Sequence, residues 1–533
     1  MDPSSSITTN FFYNEFDLTI PTKPSKLHQI FPDNILYVII CCLAIKIVFF
    51  LYSLYCYQHG ILVASQNIFN RFANYWWDLE GLSDFTGDYI NWHANWLNGE
   101  KLYSAAFKGR YLYPPLYYYM IHIFAHWTVF SAPIVIFICN NLTGYFVFRL
   151  AKNLGATPKA AKIMAVLCLI SPFNLFYSDF VWQNTGVVTT FLVISMFKIS
   201  QEKYHWGMIW LGIAMSIKQV AFFFYPFFVI GVVYSPSIFK KKFNDSKIPL
   251  VNYIRNIPIR SLLFYGLIPL EIFLIASFPY LFEDPMKYVN ILFGNHRSSN
   301  YEWIYQIFSN IVPVESNSTF IGYFPDLMQN PDNRPYQVNF RTSLPIAFAW
   351  IGYKLGIPTN ITASFAVLFH MQLFLYIITI LLGGAYWWFL NRTKFSSDQE
   401  YYWFMWYIGG LSLFTVILFA EIGIYKYYLV SLTPFWAMFS VLGPLNHDRW
   451  TRSQKYSLSE LFSHPSRLKN QFYGGGSYFH VIEQIFLQIT MILFNKWLAV
   501  AVFYLPLYIF GITFLFERMF RSEFHDIFQR KRC

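Results

Sequence analysis

The chain has 533 residues, of which 56% are hydrophobic, 22% aromatic and only 13% charged, with a formal net charge of +11. Soluble domains carry roughly 25% charged residues, so an ordinary soluble globule is excluded, and the mean hydropathy of +0.36 agrees. The apolar runs are continuous rather than alternating strands of about ten residues, which also excludes an outer-membrane β-barrel.

The expected fold class is an all-α polytopic membrane protein with about ten to twelve transmembrane helices, each some 20 residues long. The excess of Lys and Arg is that of cytoplasmic loops. No dedicated basic domain points to nucleic acid, and the lipid bilayer is the expected environment. Cys41, Cys42, Cys56, Cys139 and Cys168 fall in or beside expected spans, and Cys533 is terminal. A disulfide framework is therefore not expected.

Residues 1–33 are polar and of mixed charge, a cytoplasmic tail lacking the pattern of a cleaved signal. Residues 34–443 form the expected membrane domain, with two large outside loops at 56–131 and 282–343. A first span is expected at 34–55. The first loop carries Asp78, Glu80, Asp84 and Asp88 among Trp76, Trp77, Trp92 and Trp96. Residues 115–127 read as a short helix at the outer interface. Spans follow at 132–150, 162–177 and 185–199. A broken segment comes next, 206–217 and 220–234, with Lys218 at the break. After a basic cytoplasmic loop a span runs over 261–281. The second outside loop contains His296, Arg297 and Trp303, and the acceptor pattern Asn317-Ser318-Thr319 for glycosylation. A half-buried helix at 344–355, a span within 361–390, and spans near 402–420 and 427–442 complete the domain. Residues 444–479 form a basic cytoplasmic loop, and 480–533 one or two further spans with a basic tail.

The candidate chemistry lies on the outside. Asp84 and Asp88 are four residues apart and share one face of a helix. A carboxylate there could act as general base on an acceptor hydroxyl. The run from Asp88 to Gly99 could rest Trp92 and Trp96 on the bilayer interface, where Trp is favoured. Lys218 and Lys426 lie at the ends of apolar segments, where an ammonium either snorkels or binds an anionic group such as a lipid phosphate. Arg297 could hold phosphate bidentately, with His296 beside it, and Trp303 could stack on a sugar face. Lys46 lies within the first span, and the sequence offers it no partner. His93, His122 and His126 show no HExxH or other metal spacing, so no metal or other cofactor is expected; a divalent cation at Asp84 and Asp88 is the weaker alternative.

These landmarks resemble a known pattern. Asp84-Phe85, Tyr89, Gly99, Tyr103 and Tyr111-Leu112-Tyr113-Pro114-Pro115-Leu116 are similar to the first outside loop of GT-C-fold glycosyltransferases. The closest forms are the polyprenyl-phosphate-mannose-dependent enzymes of the phosphatidylinositol-mannoside and glycosylphosphatidylinositol type. Ser171-Pro172 with Trp182-Gln183-Asn184 resembles the family's Ser-Pro…Trp-Gly-Gln-Asp stretch, lacking the Gly and carrying Asn184 for the Asp. Lys218 with Pro226 resembles its lysine before a proline-ended helix, and 424–434 its late basic-Tyr-Leu…Pro helix start.

The resemblance implies a GT-C-like bundle that moves a hexose, mannose in the closest forms, from a polyprenyl- or dolichyl-phosphate donor to a glycan, lipid or protein acceptor with inversion. By position it makes Asp84 the base, with Asp88 beside it. Lys218, Lys426, His296 and Arg297 would bind the donor phosphate, and Gln183, Trp303 and Tyr103 the sugar or acceptor. Two alternatives stand beside it. A transporter or flippase would show paired charges within the spans and a repeat, neither evident in the sequence; a non-catalytic assembly partner would not need the carboxylates.

The Lys and Arg asymmetry places 77–116 and 282–341 on one non-cytoplasmic side, opposite 240–247 and 447–471. Cysteines introduced at Ser104 and Ser316 are expected to react with an impermeant thiol reagent from the same side. Labelling from opposite sides would overturn both the topology and an outward-facing site.

Overall fold

The computed structural model describes residues 34–59, 84–104, 107, 111, 113–238, 258–285, 288, 355–358, 379–387, 390, 398–419, 426–442, 482, 484–486, 488, 489 and 492. For Asp84 and Lys426 the description covers the backbone alone. The regular structure among the described residues is helical, as expected for a bundle in which each segment must satisfy its own backbone groups in lipid.

Helix α1 (Ile35–Gln58) buries Ile35, Cys42, Lys46, Ser53 and Cys56. These recur at i, i+7, i+11, i+18 and i+21, one face of a helix. Tyr37, Ile40, Val48 and Leu51 are exposed, the composition of a lipid-facing side. Helix α2 (Ile90–Leu97) and α3 (Pro115–Ile121) fall within residues 56–131, and α3 covers the first part of the helix expected at 115–127. Helix α4 (Ser131–Asn153) is the second span.

Helix α5 (Pro158–Leu169) starts with Thr157, whose hydroxyl accepts from the Ala160 amide, and with Pro158 at its first position. Both are favourable for nucleation there. The expected straight span over 162–177 is instead a bent pair. A wide turn at Asn174–Phe180 leaves the axis of α5 by 53°. The reason is local: Pro172 cannot donate to the helical ladder. Ser171 Oγ takes over by accepting from the Asn174 amide at 3.2 Å. The Asn174 side chain then donates back to the Cys168 carbonyl and to Thr433 Oγ1.

Helices α6 (Thr185–Ser200) and α7 (Tyr204–Ile217) pack on each other, and α6 on α4. The expected break is present. Lys218 is extended (φ −151°, ψ 137°), a short 3₁₀ turn covers Gln219–Phe223, and α8 (Tyr225–Val233) follows. Helix α9 (Ile259–Glu283) buries Gly266, Pro269, Phe273 and Ser277 along one face. It lies so close to α7 that a Cβ on Gly212 would come within 2.7 Å of Ile272 Cβ. Small residues allow such backbone approach between helices in lipid. Helix α10 (Asp398–Phe419), the 3₁₀ turn Lys426–Leu432 and α11 (Thr433–Leu442) occupy the two late expected spans.

Among the described residues α1, α4 and α9 are long and apolar enough to cross a membrane, as is the bent pair counted as one span. The tail 1–33, the basic loops at 240–247 and 444–479, most of the second outside loop, most of the half-buried helix at 344–355 and most of 480–533 lie outside the described residues.

Lys46 and Asp179 tie α1 to the bent pair. Their side chains meet at 2.9 Å with neither exposed to solvent. Lys46 Nζ also donates to the Leu169 carbonyl at 3.4 Å, and Ser53 on the same face of α1 donates to the Phe180 carbonyl. The sequence thus conceals a charge pair between apolar segments: it offered Lys46 no partner, and the fold supplies Asp179. Breaking one side of a buried pair leaves an uncompensated charge, which costs about 3–5 kcal/mol. Lys46→Met alone is expected to lose stability on that scale in detergent unfolding, and Lys46→Met/Asp179→Leu to recover most of it. A double variant as unstable as the single one would refute the pairing.

Candidate functional site

The first loop is held to the bundle by aromatic rings. The turn Asp84–Tyr89 leads into α2. Phe85 stacks on Phe130 at 5.4 Å and meets Trp182 edge-on at 5.0 Å. Tyr89 and Trp92 are in contact, and Trp92 continues to Tyr111 at 5.0 Å and Tyr113 at 6.2 Å. The expectation that Trp92 faces the bilayer is corrected: the residue is 1% exposed. Trp96 lies parallel to His122 at 5.1 Å. Edge-to-face partners from Tyr111, Tyr113 and Tyr118 hold these rings in the protein more favourably than an interface would.

Trp182 is the pivot. It is fully buried, with φ of 60°, a left-handed conformation that is a true outlier for a bulky residue. Such strain persists where the surroundings over-determine it, often at functional sites. Here Phe50, Tyr57, Phe85 and Phe130 surround the ring. The reversal at Trp182 ends the bent pair and starts α6 with Gln183 and Asn184 in front of it.

Lys218 reaches this point from the break between α7 and α8. Its side chain is buried rather than snorkelling, at 6% exposure. Its Nζ donates to Asn184 Oδ1 at 2.7 Å and to Thr185 Oγ1 at 3.4 Å, and lies 5.3 Å from the Tyr113 ring centre. Both acceptors are neutral oxygens, and they fix where the ammonium sits. Gln183 is 2% exposed, and its Oε1 has no hydrogen-bond partner among the described residues. A buried acceptor left unmade costs about 1–3 kcal/mol, and a hydroxyl donor would relieve that cost.

The expected site residues divide as follows. Gln183 and Lys218 are adjacent through Asn184. Asp84 directly precedes Phe85, whose ring meets Trp182, and Asp88 is half-buried in the same turn. Tyr103 donates its hydroxyl to the Tyr113 carbonyl, which joins it to the ring over Lys218. Lys426 begins the 3₁₀ turn that packs against α6. His296, Arg297 and Trp303 lie outside the described residues. Sequence reasoning missed Asn184 and Thr185 as partners of Lys218 and Tyr113 as its aromatic cover. Asn184 and Tyr113 stood inside motifs that drew attention; Thr185 gave no signal. Among the described residues no three His, Cys, Asp or Glu side chains cluster as a metal site would require.

His122 closes the far side of the first loop, its Nδ1 bonded to the Tyr118 carbonyl at 2.6 Å. Burial pushes its pKa down to about 4, against about 6.5 when unfolded. The folded chain therefore binds fewer protons between these values, and stability falls as pH drops from about 6.5 towards 4. The unfolding temperature is expected to decline across that window, with a shallower decline in His122→Gln. Identical profiles for the two proteins would contradict a buried neutral imidazole.

Residues 111–232 match the family model for glycosyltransferase family 87. The matched stretch contains Tyr113, Gln183, Asn184 and Lys218, whereas Asp84, Asp88, Tyr103 and Lys426 lie outside it. Among curated proteins none matches the chain. Family 87 is a GT-C-type membrane glycosyltransferase family, and the match supports the GT-C superfamily to which the sequence landmarks pointed.

Proposed function

We propose that this protein is a membrane hexosyltransferase that uses a polyprenyl- or dolichyl-phosphate-linked hexose, mannose in the closest resemblance, and acts on the non-cytoplasmic side. The observation that carries this reading is Lys218: a buried ammonium at a helix break, aimed by Asn184 and Thr185, beside the loop that bears Asp84. A lipid-linked phosphate entering from the bilayer would find there a point charge in a low-dielectric setting, where ionic hydrogen bonds are strong.

In this reading the Asp84 carboxylate takes the proton of an acceptor hydroxyl. The hydroxyl oxygen attacks the anomeric carbon. The bond from that carbon to the phosphate oxygen breaks, and its electron pair leaves with the polyprenyl phosphate, whose charge Lys218 stabilises, assisted by Lys426, His296 and Arg297. Attack from the face opposite the leaving group inverts the anomeric centre, by analogy with inverting two-carboxylate chemistry. Gln183 orients a sugar hydroxyl through its carbonyl oxygen. Asp88 orients the acceptor, and Trp303 stacks on a sugar face. A transporter reading would route charges along a path; the Lys46–Asp179 pair is sealed at 0% exposure on both sides, which suits a structural tie instead.

The test is purified protein incubated with labelled polyprenyl-phosphate hexoses and membrane lipids. Lys218→Met is expected to weaken donor binding by ~1.5–3 kcal/mol, the size of a lost hydrogen bond to a charged group, with the unfolding temperature checked alongside. Asp84→Asn is expected to lower turnover at least ~100-fold, as in general-base removal, with donor binding retained, and Asp88→Asn to cost less. Normal turnover in both aspartate variants would refute the carboxylate mechanism. Unchanged donor binding in Lys218→Met would refute the phosphate role.

A further inference from the structure

A cavity of about 260 Å³ opens between the first loop and the C-terminal end of α9. Its walls include Tyr103, Tyr280 and Tyr288, and Lys101, Glu283 and Asp284 contribute to the lining. Tyr103 meets Tyr280 edge-on at 5.1 Å and Tyr288 at 5.5 Å. The rings are fixed through their hydroxyls. Tyr103 bonds the Tyr113 carbonyl, Tyr280 the Tyr119 hydroxyl at 2.6 Å, and Tyr288 Ser277 Oγ at 2.7 Å. Tyr103 holds φ of 63°, another left-handed aromatic residue at a position where strain needs a reason. The two charges at the rim are looser: Lys101 Nζ and Glu283 Oε1 lie 3.6 Å apart with side chains 76% and 60% exposed. An exposed pair of this kind holds little energy and opens readily.

The lining selects among ligands. Among the described lining residues two carboxylates stand against one ammonium, which disfavours a phosphate, and a charged rim disfavours an acyl chain. Rigid aromatic walls with carboxylate acceptors at the mouth suit a neutral polyol whose C–H face packs on a ring and whose hydroxyls donate to Glu283 and Asp284. The volume lies just below the roughly 300 Å³ at which pockets for drug-sized ligands begin, the scale of a single sugar ring. The cavity is also joined to the proposed donor centre: Tyr103 bonds the Tyr113 carbonyl, and the Tyr113 ring lies over Lys218.

We infer that this cavity is the acceptor-side subsite and binds one neutral hexose ring between the tyrosines, with Glu283 and Asp284 accepting from its hydroxyls. The inference rests on the glycosyl-transfer reading for its role in turnover; hexose binding itself does not depend on it. The experiment is saturation-transfer NMR of the full chain in phosphatidylcholine nanodiscs with methyl α-mannoside, methyl α-glucoside and methyl α-galactoside as probes. Signal from the pyranose ring protons of at least one hexoside is expected in the unaltered protein. Glu283→Gln, at an exposed position, is expected to lower apparent affinity roughly tenfold, the weak end for a hydrogen bond to a charged group. Glu283→Gln/Asp284→Asn should lower it further. The signal is expected to persist when a polyprenyl-phosphate hexose saturates the donor site. No hexoside signal in the unaltered protein, equal affinity in Glu283→Gln, or displacement by the donor would each overturn the inference. None of these results alters the comparison of donor binding between the unaltered protein and the Lys218→Met variant, so the two readings fail separately.

Discussion

Lys46 and Asp179 meet at 2.9 Å where neither touches solvent, and much of the site depends on that contact. Neither charge is tolerable alone in an apolar bundle, so α1 and the bent pair have one favourable register in which the charges coincide. In that register Ser53 also meets the Phe180 carbonyl, and Phe50 and Tyr57 reach Trp182. The pair therefore fixes the segment whose next residues are Trp182, Gln183 and Asn184.

From there the site is assembled out of interruptions in helices. Pro172 ends one ladder, Trp182 reverses the chain in a left-handed conformation, and Lys218 stands extended between α7 and α8. Each interruption frees polar groups that a continuous helix would consume. Backbone irregularity at such depth is tolerable where it is buried in protein or lines a cavity. The neighbouring side chains meet that need here: Ser171 and Asn174 satisfy the bend, and Asn184 and Thr185 receive the Lys218 ammonium.

Aromatic residues connect these points. Phe85 to Trp182, Trp92 to Tyr113, and Tyr113 to both Lys218 and Tyr103 link the bundle to the first loop. Rings have few rotatable bonds and directional edges, so a loop packed this way keeps its geometry without regular structure over its whole length. That rigidity is what a carboxylate on a loop would need to act on a membrane-anchored substrate.

The sequence by itself determined the membrane class, the helical fold, the break at Lys218 and the neighbourhood of Trp182-Gln183-Asn184. These depend on hydrophobic run length and on Pro and Lys placed within apolar segments, all of which are local properties. Only the tertiary structure decided that Lys46 on α1 belongs to Asp179, in the turn that follows α5, and that Lys218 is buried on Asn184 rather than snorkelling. It also turned Trp92 inwards and set Tyr103 against Tyr280 and Tyr288. A charge or ring in an apolar run carries no record of its partner, because the partner is selected by which helix faces pack together, and that choice is made by the whole bundle.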